Sequence, residues 1–118
     1  MSPPLKNYVK THRKMAGLSQ NDIAFLLGKD TGTFVSRIEQ NCSQPDLCTV
    51  LFYQILFNKP IAALFPGVHI EVEKQTFTRI SDLTTLLEKR GRSPKILRRI
   101  DFLEGVARRI AESSHNGL

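Results

Sequence analysis

Apolar residues recur at steps of three and four along nearly the whole chain, and they hardly ever alternate. Such spacing places one apolar stripe on each of a series of helices and leaves no sheet to build. Leu5, Tyr8 and Val9 mark a helix over residues 5–16, with Lys6, Lys10, Arg13 and Lys14 elsewhere on it. Ser19 stands at an N-cap position ahead of Gln20, Asn21 and Asp22 and the apolar set Ile23, Phe25, Leu26 and Leu27. Asp22, three residues after Ser19, makes a capping box with a short acid, and Gly28 stops the helix. Thr31 is placed to cap a third helix over 33–40, whose inward positions are Val35 and Ile38, and Asn41 ends it. Asp46 caps a helix over 47–57, Pro60 opens a short helix ending near Phe65, and Pro66-Gly67 closes the unit. The brief alternation over 68–73 reads as the start of a helix or an extended linker.

A different unit follows. Phe77, Ile80, Leu83 and Leu87 form one stripe, and Ile96, Ile100, Leu103, Val106 and Ile110 form another. Between them, Gly91 ends one helix, Ser93 caps the next and Pro94 takes its first position. The expected fold is therefore all-α. A five-helix unit fills residues 1–67, and a helical hairpin fills 68–118, its stripes covering each other, the first unit or a partner chain.

Several function classes drop out. The longest apolar runs, such as Ile61-Ala62-Ala63-Leu64-Phe65, are too short to span a bilayer. Met1-Ser2-Pro3-Pro4 lacks the layout of a secretory signal, so a cytoplasmic, nucleoid-associated location is expected. Cys42 and Cys48, with His12, His69 and His115 scattered, do not have zinc-ligand spacing, so no metal and no cofactor is expected. Cys48 reads as a small core residue and Cys42 as a loop residue, both reduced. No nucleophile elbow, P-loop, dinucleotide fingerprint or metal triad is present. Asp22, Asp30, Glu39 and Asp46 are each explained by capping or pairing, and His12 is expected on the exposed face of a basic helix. Catalysis is not expected. The formal net charge of +6 favours a polyanion partner.

Residues 5–65 resemble the DNA-binding domain of the lambda-repressor/Cro-type helix-turn-helix regulators (the XRE family). The residues that carry the likeness are Leu5, Arg13, Gly17-Leu18-Ser19-Gln20, Ile23-Ala24, Leu27-Gly28, Val35-Ser36-Arg37-Ile38-Glu39, Pro45 and Leu64-Phe65, in collinear order over about half the chain. Phe65-Pro66-Gly67, with Glu71 and Glu73 after it, also looks like a bacterial subgroup whose regulators carry a short helical tail. The spacing makes physical sense by itself. A helix enters the major groove only if another braces its back, and small Ala24 lets the second and third helices cross closely. With Val35 and Ile38 inward, Thr33, Ser36, Arg37 and Gln40 point outward, a face without an acid to repel phosphate.

The resemblance implies roles residue by residue. Gly32, Thr33, Ser36 and Arg37 match base-reading positions, with Arg37 suited to a bidentate guanine contact and Thr33 to a thymine methyl. Ser19, Gln20 and the amides opening that helix match a phosphate anchor, and Ser43 a second phosphate position. Arg13 and Glu39 match an ion pair fixing the recognition helix against the first helix; their other reading is two solvated surface charges. This chain departs from the pattern in three places. The turn 28–32 is one residue longer than usual, Gly32 stands where a long polar reader is common, and the loop 41–46 is less basic.

Charge is spread evenly. Residues 1–67 hold seven Lys/Arg against four Asp/Glu, and the remainder ten against seven. Lys89, Arg90, Arg92, Lys95, Arg98 and Arg99 follow one another without an acid, as a solvated helix connection or a second phosphate contact. The expected function is a sequence-specific regulator of transcription, a repressor, binding double-stranded DNA as a homodimer joined through the C-terminal helices. The alternative is a protein-interaction adaptor or antitoxin-like protein that engages a protein partner with its tail and binds DNA weakly.

Overall fold

A computed structural model describes residues 7–116, with side chains as far as residue 113. Among the described residues the chain forms seven helices and no strand: α1 (Val9–Met15), α2 (Gln20–Leu27), α3 (Thr33–Glu39), α4 (Leu47–Phe57), α5 (Ile61–Leu64), α6 (Pro66–Arg90) and α7 (Pro94–Asn116). Leu5, the expected first apolar position of the opening helix, lies outside the described residues. The chain divides into two compact units, Met1–Ile70 and Glu71–Leu118. Pro66 and Gly67 do not close a unit; they open α6, because proline has no amide to leave unbonded and its fixed φ suits a first helical turn. The alternating stretch 68–73 is helical as well.

The capping chemistry sets the helix starts. The Asp22 amide donates to Ser19 Oγ (3.0 Å) and the Ser19 amide to Asp22 Oδ2 (2.8 Å), the reciprocal box at the head of α2. Gly28, with φ of 77°, adopts the left-handed conformation that ends α2. At α4, Asp46 Oδ1 accepts from the Thr49 amide (2.8 Å).

In the first unit Val9, Ile23, Ala24, Val35, Ile38, Tyr53, Leu64 and Phe65 form one buried cluster. Tyr53 is its aromatic hub, stacked on Phe57 (5.9 Å between centroids) and edge-on to Phe52 (5.3 Å) and Phe65 (6.2 Å). Three expectations are corrected here. Cys48 is exposed, because the first turn of α4 turns Thr49 inward instead. His12 is half-buried with its ring 5.5 Å from Phe57, not set on an open basic face. Phe25 and Leu26 are exposed, so α2 packs through Ile23, Ala24 and Leu27 alone.

In the second unit α6 and α7 are in contact. Ile80 and Leu87 of α6 are buried, whereas Ile96, Ile100, Leu103, Val106 and Ile110 of α7 are only half-buried. Ser93 Oγ accepts the Ile96 amide (3.3 Å), capping α7 just ahead of Pro94.

Candidate nucleic-acid interface

The sequence of α3, Thr33-Phe34-Val35-Ser36-Arg37-Ile38-Glu39, sorts itself by a three-residue step. Val35 and Ile38 are at most 1% exposed and belong to the core. Thr33, Arg37 and Gln40 are exposed and Ser36 is half-buried. Each buried branched side chain removes most of its apolar surface from water, stabilising by about 1.5–3 kcal/mol, which fixes the rotation of α3 about its own axis. The outward strip then carries a methyl and hydroxyl at Thr33, a hydroxyl at Ser36, a guanidinium at Arg37 and an amide at Gln40. Gln40 Nε2 donates to Ser36 Oγ (3.1 Å), which orders that end of the strip. Arg37 enters no ion pair or side-chain hydrogen bond among the described residues, so its donors face solvent.

The turn before α3 is built around Gly32, which is buried. Its amide donates to Asn21 Oδ1 (2.9 Å), and a β-carbon there would stand 2.9 Å from that oxygen and 3.0 Å from Gln20 Cβ. Gly32 therefore lets α3 close on the start of α2. The outward strip begins at Thr33, whose amide donates to Thr31 Oγ1 (3.3 Å). Asp30, in the same turn, is exposed, and Lys29 lies 4.6 Å from the centre of the Phe34 ring.

Behind the strip lies a buried ionic knot. Arg13 Nε donates to Glu39 Oε2 (2.7 Å) and Arg13 Nη2 to Glu39 Oε1 (3.1 Å), with side chains 9% and 2% exposed. Arg13 Nη1 also reaches the Leu18 carbonyl (3.0 Å), and Gln20 Nε2 donates to Glu39 Oε1 (3.0 Å). The hydrogen bonding of Arg13 to the Glu39 carboxylate holds the guanidinium pKa above its ordinary value. These bonds join α1, the head of α2 and the last turn of α3, so the orientation of α3 depends on groups it shares with both.

Of the residues expected at phosphate, Gln20 thus spends one amide hydrogen on Glu39 and keeps a second. Ser19 is exposed, and its hydroxyl oxygen accepts the Asp22 amide while the hydroxyl also hydrogen-bonds the Asp22 carboxylate. Asp22 stands at the same helix end, its carboxyl held below the usual range by the hydrogen bond from the Ser19 amide. Ser43 is half-buried in the loop after α3.

No protein-family model, no curated protein and no solved structure matches this chain. The functional reading therefore stands on the geometry and on the residues themselves.

Three residues behind this site carry contacts that the periodicity does not signal. Asn7 is buried, donates from Nδ2 to the Ile38 carbonyl (3.1 Å) and to Asn41 Oδ1 (2.9 Å), and accepts the Val9 amide (3.2 Å). It binds the first amide of α1 and the C-terminal end of α3 with one side chain. Asn41 has φ of 61°, the left-handed turn that brings its amide group to Asn7. Tyr53 is fully buried, with a hydroxyl that has no hydrogen-bond partner among the described residues, and burial raises its pKa. No group of three or more His, Cys, Asp and Glu among the described residues could hold a metal. Among the described residues no helix is long and apolar enough to cross a membrane.

Proposed function

We propose that this chain binds double-stranded DNA as a sequence-specific transcriptional regulator, acting as a repressor, with α3 in the major groove and residues 1–67 serving as a lambda-repressor-like domain. The observation that carries this reading is the division of α3: Val35 and Ile38 are sealed in the core while Thr33, Arg37 and Gln40 are open. A major groove about 12 Å wide admits a helix whose back is braced, and α3 is braced by α2 and by the Arg13–Glu39 pair. Arg37 supplies the bidentate donor pair that fits guanine, Thr33 the methyl that fits thymine, and Ser36 an adaptable hydroxyl. Gly32, expected among the base readers, is buried with its amide on Asn21 Oδ1, so its part is to seat α3 on α2 and not to meet a base. Ser19, the second amide hydrogen of Gln20 and Ser43 are the phosphate contacts that fix register. The C-terminal helices join two copies, so that two α3 helices meet successive major grooves about 34 Å apart.

Selection of bound sites from a pool of random duplexes tests this reading. The wild-type chain is expected to enrich a palindrome, and Arg37→Ala to lose preference for guanine at one position in each half. Recovery of no common sequence by the wild-type chain contradicts it.

A further inference from the structure

Phe102 is 68% exposed, a large apolar area to leave in water on a helix that has an apolar stripe elsewhere. It lies in an open cleft of about 440 Å³ between α6 and α7, lined otherwise by Leu83, Leu103, Lys95, Arg98 and Arg99. A second cleft of about 310 Å³ shares Leu83 and continues along α6 past Ile80 and Arg79 to Thr76 and Gln75. The two clefts meet at Leu83 and together offer a groove-like surface lined by Ile80, Leu83, Phe102 and Leu103 with four cations among the lining residues. Lys95, Arg98, Arg99 and Phe102 follow at steps of three, one and three, which puts them on one side of α7. No acid lines the groove, and none of its four cations is ion-paired among the described residues.

The composition of the groove selects its occupant. A DNA backbone would answer the cations but leave Leu83, Phe102 and Leu103 against phosphate and sugar, with their apolar area unmatched. A second copy meeting the same groove about a two-fold axis would set arginine against arginine. An amphipathic helix with an apolar stripe and acidic flanks answers both features, its stripe on the floor and its carboxylates on the cations. We infer that this groove docks an acidic amphipathic helix of a protein partner. From Gln75 to Leu83 the α6 wall runs about 12 Å, enough for roughly two turns of the partner. The inference goes beyond the DNA reading and does not depend on it, since no residue of α3 takes part.

The test uses the full chain and a labelled, end-capped alanine-based peptide of about 16 residues, with leucines at i, i+3, i+4 and i+7 and glutamates on both flanks. Fluorescence anisotropy is expected to show saturable binding that weakens as salt rises. Replacing the peptide's glutamates by lysine, its leucines by serine, or the chain's Arg98→Glu and Arg99→Glu together should each weaken binding at least about tenfold. Phe102→Ser should do the same. All three protein positions are exposed, and circular dichroism verifies that the variants keep their helices. Equal affinity for the acidic and lysine peptides, no binding of either, or affinity unmoved by Arg98→Glu with Arg99→Glu overturns the inference. So does conversion of a dimer to a monomer by Phe102→Ser, which assigns the groove to a second copy. A flatter salt dependence of duplex affinity in the charge-reversed chain also overturns it, assigning the groove to DNA.

Discussion

Glu39 accepts three hydrogen bonds on two oxygens, from Arg13 Nε and Nη2 and from Gln20 Nε2. Glu39→Gln keeps the shape but leaves the Arg13 guanidinium buried without its counter-charge, a loss of about 3–5 kcal/mol. For a unit of this size that is a drop in Tm of 10 °C or more, at roughly 4–8 °C per kcal/mol, readable by calorimetry. An unchanged Tm contradicts a structural role for the pair. Arg13→Met combined with Glu39→Leu should recover most of the loss, because the cost lies in stranding one charge rather than in lacking both. Asn7→Ala leaves the Val9 amide unpaired in a buried place and removes one of two hydrogen bonds at the Ile38 carbonyl, which keeps the Asn41 amide; it should cost about 1–3 kcal/mol, with faster amide exchange at Val9 and Asn41. Stability and exchange equal to wild type would show that the clamp contributes nothing. The two residues differ in how readable they are. Arg13 and Glu39 stand at positions that a family resemblance singles out, whereas the use of Asn7 depends on α3, 31 residues away, arriving beside it. A lone asparagine before a helix gives no sign of such a contact.

At the scale of elements, helix identity was legible from an inward pair or from a cap. Val35 with Ile38 define α3, whose N-cap is Gly32 and not the expected Thr31, and Asp46 ahead of Leu47–Phe57 defines α4, because burial and capping act locally. Reading failed where neighbouring residues compete for one inward position. Thr49 rather than Cys48 faces the core, and Phe25 and Leu26 face solvent while small Ala24 takes the contact with α3. Periodicity fixes a stripe to within one residue, or about 100° of rotation, and tertiary packing chooses among the candidates. Pro66 was misread for a related reason, since proline both ends and begins helices. The caps also govern the response to acid. Hydrogen bonds from the Ser19 amide to Asp22 and from the Thr49 amide to Asp46 hold both carboxyls below the usual range. The unfolded chain therefore takes up protons first, near pH ~4, so the stability these caps lend is present above that value and is lost as pH falls from there through the lower folded-state values. Thermal unfolding between pH 7 and pH ~2.5 should show that descent, and Asp22→Asn with Asp46→Asn should flatten it. Parallel descents for both proteins contradict the assignment.

For the whole molecule, two units carry equal excess charge, so charge alone does not say which of them meets a polyanion. Function is divided by surface chemistry instead. The first unit presents a polar strip without an acid along α3; the second presents an apolar groove beside unpaired cations. Phe77 and Leu97, 44% and 43% exposed, do not line either cleft and are the apolar area that the proposed dimer would use. Sedimentation of the full chain should give a dimer that Phe77→Glu weakens; a monomer at every concentration contradicts this proposal. Charge and apolar area on the second unit were visible as a run of six basic residues and two stripes. Their meeting in one groove was not, because it requires the crossing of α6 and α7. The proposed DNA-binding role of α3 is tested by titrating the isotopically labelled chain with a selected duplex and following backbone amides and arginine side chains by NMR. The largest shifts are expected from Thr33 to Gln40, with the Arg37 guanidinium resonances moving most. Shifts centred on α6 and α7, with α3 unmoved, would contradict the assignment of α3 to the groove of the double helix.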